Sequence, residues 1–173
     1  MTVEPKGIDS VAGVYAPTPA TYRSAAKVAG ATSVSVLDND TICGLFLQAW
    51  LDSQPGTTTA HEEGGFVLRN ADGSLTVERW PRGAQNEIVV PAHAGGKRGN
   101  PSIVATFHTH PNPAPDFQQE PSLTDIRAVR DDPDLSHADY EGEYVIATEW
   151  IYRVRKDGQV EWFRETKAAF KAG

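Results

Sequence analysis

The sequence predicts an α+β, or mixed α/β, domain, and three observations carry that prediction. One segment repeats apolar residues at helical spacing, several short β-branched segments are joined at Asp-Gly turns, and a second capped helix start lies among them. A chain of 173 residues suits one domain with trimmings. Its 39% hydrophobic and 23% charged residues are apolar enough to bury a real core, and too lightly charged for disorder throughout. We divide it into an extension, residues 1–38, available to dock a partner, and a domain, residues 39–173.

Each element has its own local reason. The extension is rich in Ala, Val, Ser, Thr and Pro, with a short helix expected over residues 20–29 and stopped at Gly30. The cluster Leu37-Asp38-Asn39-Asp40-Thr41 caps a helix whose apolar face reads Ile42, Leu45, Phe46, Trp50 and Leu51, ending near Ser53. Pro55 and Gly56 make residues 54–60 a loop. Residues 65–68 and 75–80 flank Asn70-Ala-Asp-Gly73 as a hairpin, because Asp-Gly supplies the positive φ of such turns. A second strand pair, residues 87–91 and 102–107, is expected about an exposed loop, residues 92–100. A proline-rich stretch, residues 111–121, leads to a helix from Ser122 to about Arg130. Strands follow at 143–149, 150–155 and, after Lys156-Asp-Gly158, 160–164, then an amphipathic tail at 165–172.

Charge and hydropathy remove several classes of function. Sixteen Lys and Arg against 23 Asp and Glu leave a net charge of -7, which opposes the phosphate neutralisation that nucleic-acid binding needs. The longest apolar run, residues 42–51, falls short of the roughly 20 residues of a membrane span. The first twenty residues show no secretory signal, so the expected location is cytoplasmic. Cys43 has no disulfide partner and reads as a small buried hydrophobe. His61, His93 and His137 read as solvated surface histidines, and the acidic run after Arg130 as a solvated helix exit. Trp50, Trp80, Trp150 and Trp162, with Phe163 and Phe170, read as packing.

Chemistry concentrates in Val104-Ala-Thr-Phe-His108-Thr-His110-Pro111. Alternation along a strand places both imidazoles on one face, and Pro111 ends the ladder beside a loop. Fifteen residues beyond His110, Asp125 lies in the first turn of the helix that Ser122 caps, where its carboxylate can add a third ligand. Two histidines and an acid make an open zinc site, in which the metal lowers the pKa of a water to about 7; the same set also suits iron(II). A proton acceptor is still required, and Glu62, in His61-Glu62-Glu63-Gly64-Gly65, is the best placed acid. Neighbouring residues at a strand start face opposite ways, so residue chemistry alone leaves Glu63 open as well.

Together, Glu62-x-x-Gly65, His108-Thr-His110-Pro111 and Ser122-x-x-Asp125 resemble the JAMM (MPN-plus) metalloprotease family, and most closely its bacterial branches with a His-Thr-His-Pro core. The resemblance spans roughly residues 40–155. It implies a JAMM-like fold, a curved, mostly antiparallel sheet flanked by helices, with zinc on His108, His110 and Asp125. It further implies Glu62 as general acid/base, favoured over Glu63 by the family spacing, and Ser122 as hydrogen-bond donor to the oxyanion. The implied activity is zinc-dependent cleavage of a peptide or isopeptide bond in a peptide or protein substrate, ubiquitin-like proteins included. Relatives of this type occur in bacterial polymorphic toxins and secreted effectors. The resemblance therefore also permits a non-hydrolytic binding or accessory module that meets a secretion or toxin-system partner, as well as a hydrolase of non-peptide amides. One departure stands out: eleven residues separate His110 from Ser122. Loop length is inexpensive, about 0.6 kcal/mol per doubling, so the ligand set tolerates the insert. Asp116 and Glu120 within it compete with Asp125 as ligands, and Asp125 has the helix-anchored spacing.

Overall fold

A computed structural model describes residues 34–171 of the chain. The helix expected at residues 20–29 and the last residues of the tail lie outside the described residues. Among those described, helix α1 (Asp40–Asp52) precedes a hairpin of β1 (Gly64–Arg69) and β2 (Leu75–Arg79). Strand β3 (Ser102–Thr109) and helix α2 (Leu123–Arg130) follow, then β4 (Glu143–Ile146), β5 (Trp150–Val154), β6 (Val160–Glu165) and a single turn, α3 (Thr166–Ala169). The six strands form one sheet in the order β2-β1-β3-β4-β5-β6, antiparallel throughout except where β3 runs parallel to β4. This is the α+β class that the sequence predicts.

Local chemistry explains the borders. The Asn39 side chain accepts the Ile42 N–H at 3.1 Å and so starts α1, which Ser53 ends. Gly73 takes φ +84° in the first hairpin turn, and Asn70 N–H reaches the Ser74 carbonyl at 2.9 Å. The buried stripe of α1 is narrower than its sequence suggests: Ile42, Phe46 and Ala49 face inward, whereas Leu51 is 55% exposed. The 3₁₀ turn Val36–Asp38 brings Val36 and Leu37 into the core, and the hydroxyl of Ser35, which caps it, lies 2.7 Å from that of Tyr144.

Two cores sandwich the sheet. Phe46 on α1 stacks on Phe107 at 4.3 Å and meets Tyr144 edge-on at 5.9 Å, on the face that α1 and α3 cover. Phe66, Val145, Tyr152 and Val129 fill the opposite face, under α2. A bulge in β3 connects the two. The β1 partner of β3 steps from Ala105 to Ile103, passing over Val104, so Ile103 and Phe107 lie on opposite faces despite their even spacing. Phe46→Ala is expected to cost about 3–5 kcal/mol of unfolding free energy, measured in urea, because the ring is fully buried against Phe107 and Tyr144 and its loss leaves a cavity.

Several expectations are corrected. Residues 87–91 form no strand, because β1 and β4 already occupy both edges of β3, and the segment instead folds back on itself through Ala84 N–H to the Glu87 carbonyl at 2.7 Å. The strand expected at 143–149 ends at Ile146, where Ala147 N–H turns onto the Trp150 carbonyl. Loop 92–100 is tied down: His93 bonds Asp132 at 2.7 Å and Gly95 N–H bonds the Asp134 carboxylate at 2.8 Å. Two acids of the supposed solvated exit are thus structural anchors, and His93 is half-buried against Phe66. His61 is buried and bonds Glu63 at 2.8 Å. His137 is exposed, as expected. Cys43 is only partly buried and bonds the Ala169 carbonyl, and burial pushes its thiol up. All four tryptophans, with Phe163 and Phe170, pack on the two cores. No described helix is long and apolar enough to cross a membrane.

Candidate metal centre

The buried strand β3 carries His108 out to its end, and the chain beyond it stays attached because His110 N–H bonds the Ile146 carbonyl at 2.8 Å. The Nε2 atoms of the two histidines come within 3.1 Å. Asp125 approaches from α2, with Oδ1 3.7 Å from His108 Nε2 and Oδ2 3.6 Å from His110 Nε2. One donor atom from each of the three residues lies within 4.8 Å of the others, His108 buried and the other two half-buried, so the group can hold a metal ion. Neither Asp116 nor Glu120 belongs to it.

One feature beyond the donor set fits a cation. Each imidazole is fixed through its far nitrogen: His108 Nδ1 bonds the Glu143 carboxylate at 3.0 Å, and His110 Nδ1 bonds the Gln119 carbonyl at 3.2 Å. This is how ligating histidines are generally oriented, with the tautomer set so that Nε2 is a lone-pair donor. Burial disfavours an imidazolium at His108, but Glu143 overrides it and pushes His108 up; burial and the His108 charge together press His110 down. A metal ion on the pair would have to displace the proton that Glu143 favours on His108, because a ligating imidazole is neutral.

Ser122 and Asp125 form a complete capping box, with Asp125 N–H on the Ser122 hydroxyl at 3.1 Å and Ser122 N–H on the Asp125 carboxylate at 2.6 Å. Capping and ligation coexist, since Oδ1 remains open toward the histidines. The Ser122 hydroxyl accepts in the box, and its proton has no partner among the described residues. Ser122 and Asp125 line a cleft of about 530 Å³ together with His110 and Glu62.

Strand parity separates Glu62 from Glu63. Gly64 lies opposite His108, so Glu62, two residues earlier, shares the histidine face, and Glu63 points to the other. There Glu63 is consumed by Arg79 at 2.6 Å and His61 at 2.8 Å. Glu62 is held by its backbone, N–H to the Ala84 carbonyl at 2.8 Å and carbonyl from Gly83 N–H at 2.9 Å. It is 7% exposed, and its carboxylate has no hydrogen-bond partner among the described residues. Burial raises it to about 7, against the pull of His108 and with the push of Asp125 and Glu143. The glycines after it serve packing: a Cβ on Gly64 would lie 2.5 Å from the Trp80 ring, and one on Gly65 2.7 Å from the Glu78 carbonyl.

The insert buttresses the site. Buried Asn112 ties it to the facing loop through the Gln85 carbonyl at 2.8 Å, while the Gln119 side chain bonds the Asn112 carbonyl and accepts Thr148 N–H at 3.3 Å. Glu143 is absent from the sequence-based site, although a charged residue opening the apolar run Glu-Tyr-Val-Ile was a signal that it has a buried partner. Glu143→Gln is expected to weaken metal affinity about 10–100-fold, read by competition with a chromophoric chelator; unchanged affinity would show that Glu143 does not orient His108. Comparison with family models, with curated proteins and with solved structures returned no match.

Proposed function

We propose that this chain is a zinc-dependent hydrolase of the JAMM type that cleaves a peptide or isopeptide bond. One observation carries the proposal: Glu62, only 7% exposed and with no hydrogen-bond partner for its carboxylate among the described residues, lines the same cleft as His110 and Asp125 of a three-residue group able to hold a metal ion. His108, His110 and Asp125 would hold zinc, leaving room for non-protein ligands, as catalytic zinc sites do. Zinc there supplies Lewis-acid chemistry, acidifying water and polarising the scissile carbonyl. Glu62 accepts the proton of the attacking water and passes it to the departing amine. Ser122 donates its unused hydroxyl proton to the oxyanion of the tetrahedral intermediate, and Glu143 and the Gln119 carbonyl keep the imidazoles aimed.

The test is elemental analysis of the purified chain, followed by hydrolysis of a peptide library with and without chelator. About one zinc per chain and chelator-sensitive cleavage are expected. A chain that takes up no metal even after incubation with zinc would sink the proposal.

A further inference from the structure

The metal cleft has a neighbour. Beside it lies a cavity of about 640 Å³ walled by Trp150, Tyr152 and Trp162 of β5 and β6. Trp162 sits between the other two rings, 5.2 Å from Trp150 and 5.8 Å from Tyr152. Phe117 and Gln118 of the insert line both spaces, so the insert is a low partition between adjoining cavities.

Their charge is one-sided. Glu62, Glu87, Asp116 and Asp125 line the cleft, and Glu120 and Glu149 line the aromatic cavity; among the described residues no lysine or arginine lines either. Thirteen of the chain's sixteen lysines and arginines lie among the described residues, so the absence of those thirteen from both cavities is a property of this face and not of composition. A divalent ion on the triad offsets only two of the four carboxylates in the cleft. Glu62, 7% exposed, presents to the cleft a carboxylate that has no hydrogen-bond partner among the described residues.

Resting on the hydrolase reading, we infer that the substrate is a basic polypeptide segment. A lysine or arginine beside the scissile amide meets Asp116 and Glu87 at the cleft rim. A second basic residue passes Phe117 and lies against the half-buried Trp150, next to Glu149. Aromatic faces attract cations, most strongly when the cation is partly desolvated, and a carboxylate beside the ring adds to that attraction. An acidic segment meets repulsion at both places, which gives discrimination by exclusion as well as by attraction.

The experiment uses the zinc-loaded full chain carrying Glu62→Gln and two short capped peptides of Gly, Ala and Ser. One peptide bears two arginines and its twin two glutamates at the same positions. Calorimetry is expected to show the arginine peptide binding about tenfold or more tightly than its twin, with added salt weakening it and with a change in tryptophan fluorescence. Asp116→Lys with Glu149→Lys, both at exposed loop positions, should abolish the preference without weakening the glutamate peptide. Equal affinities, or binding of neither peptide, would overturn the inference. Wild-type cleavage of both peptides at equal rates would overturn it and leave the hydrolase standing. Selective binding without any chelator-sensitive cleavage would overturn the hydrolase and leave the basic-segment cleft standing.

Discussion

Glu62→Gln is expected to lower kcat by about 10²–10⁴-fold while zinc content stays at the wild-type level. The amide keeps the shape and the backbone anchors to residues 83 and 84, and residue 62 is not one of the three residues that group to hold a metal, so the capacity to carry a proton is what is removed. Full turnover by this variant would show that another group is the base. The metal-free chain provides an independent reading of the same carboxylate. Its folded value is about 7 against an ordinary 4.5, so between those values the fold binds this proton and the unfolded chain does not. Stability contributed by the neutral form is whole below about 4.5 and is lost as pH rises toward 7, a difference of roughly 3 kcal/mol for a group this buried. Metal-free Glu62→Gln should therefore melt several degrees above wild type at pH 8 and together with it at pH 4. Coincident melting at pH 8 would mean that Glu62 is solvated. A cation on the triad stabilises the Glu62 anion, so the acid limb of kcat/KM should fall below 7.

This pairing of a functional role with a stability penalty also explains which parts of the molecule were legible in sequence. Features written in consecutive residues were readable: the Asn39 and Ser122 caps, the Asp-Gly turn at Gly73, and the alternation that puts His108 and His110 on one face. The capping box of Ser122 and Asp125 illustrates the principle, since one short motif specifies both a helix start and a carboxylate aimed at the histidines. What depended on long-range pairing was not readable. Residues 87–91 are β-branched enough for a strand, but sheet order decides, and β3 had no edge left. Leu51 fits the apolar helical pattern of α1 and still lies outside, because the breadth of the buried stripe is set by what packs on it. His61 looks like a surface residue until the β1–β2 hairpin sets Arg79 on one oxygen of Glu63, whose other oxygen holds the His61 ring. Glu143 orients His108 from a strand 35 positions further along the chain, joined to β3 by a parallel pairing that no local pattern encodes.

The second large effect concerns the ligands themselves. His108→Ala is expected to reduce zinc from about one per chain to background, and with it the thermal stabilisation that zinc gives. A metal that binds only the folded chain contributes about 4 kcal/mol at a thousandfold excess over its Kd, so wild type should gain a clear upward shift in Tm that the variant lacks. Interpreting the loss needs a second variant, because His108→Ala also strands the buried Glu143 carboxylate and leaves space in the core-facing end of β3. Asp125→Asn separates the roles. Its amide oxygen can still accept the Ser122 N–H, so the metal-free helix start should hold to within the 0.5–2 kcal/mol that such caps are worth. Its neutral side chain is a poor zinc ligand, and metal should be lost as completely as in His108→Ala. Zinc retained at wild-type affinity by Asp125→Asn, with the metal-free melting point unchanged, would reduce Asp125 to a helix cap. The centre would then be a two-histidine site needing a different third ligand. Loss of zinc with the cap intact would instead establish that the carboxylate facing the histidines at 3.6–3.7 Å closes the coordination sphere when the ion arrives.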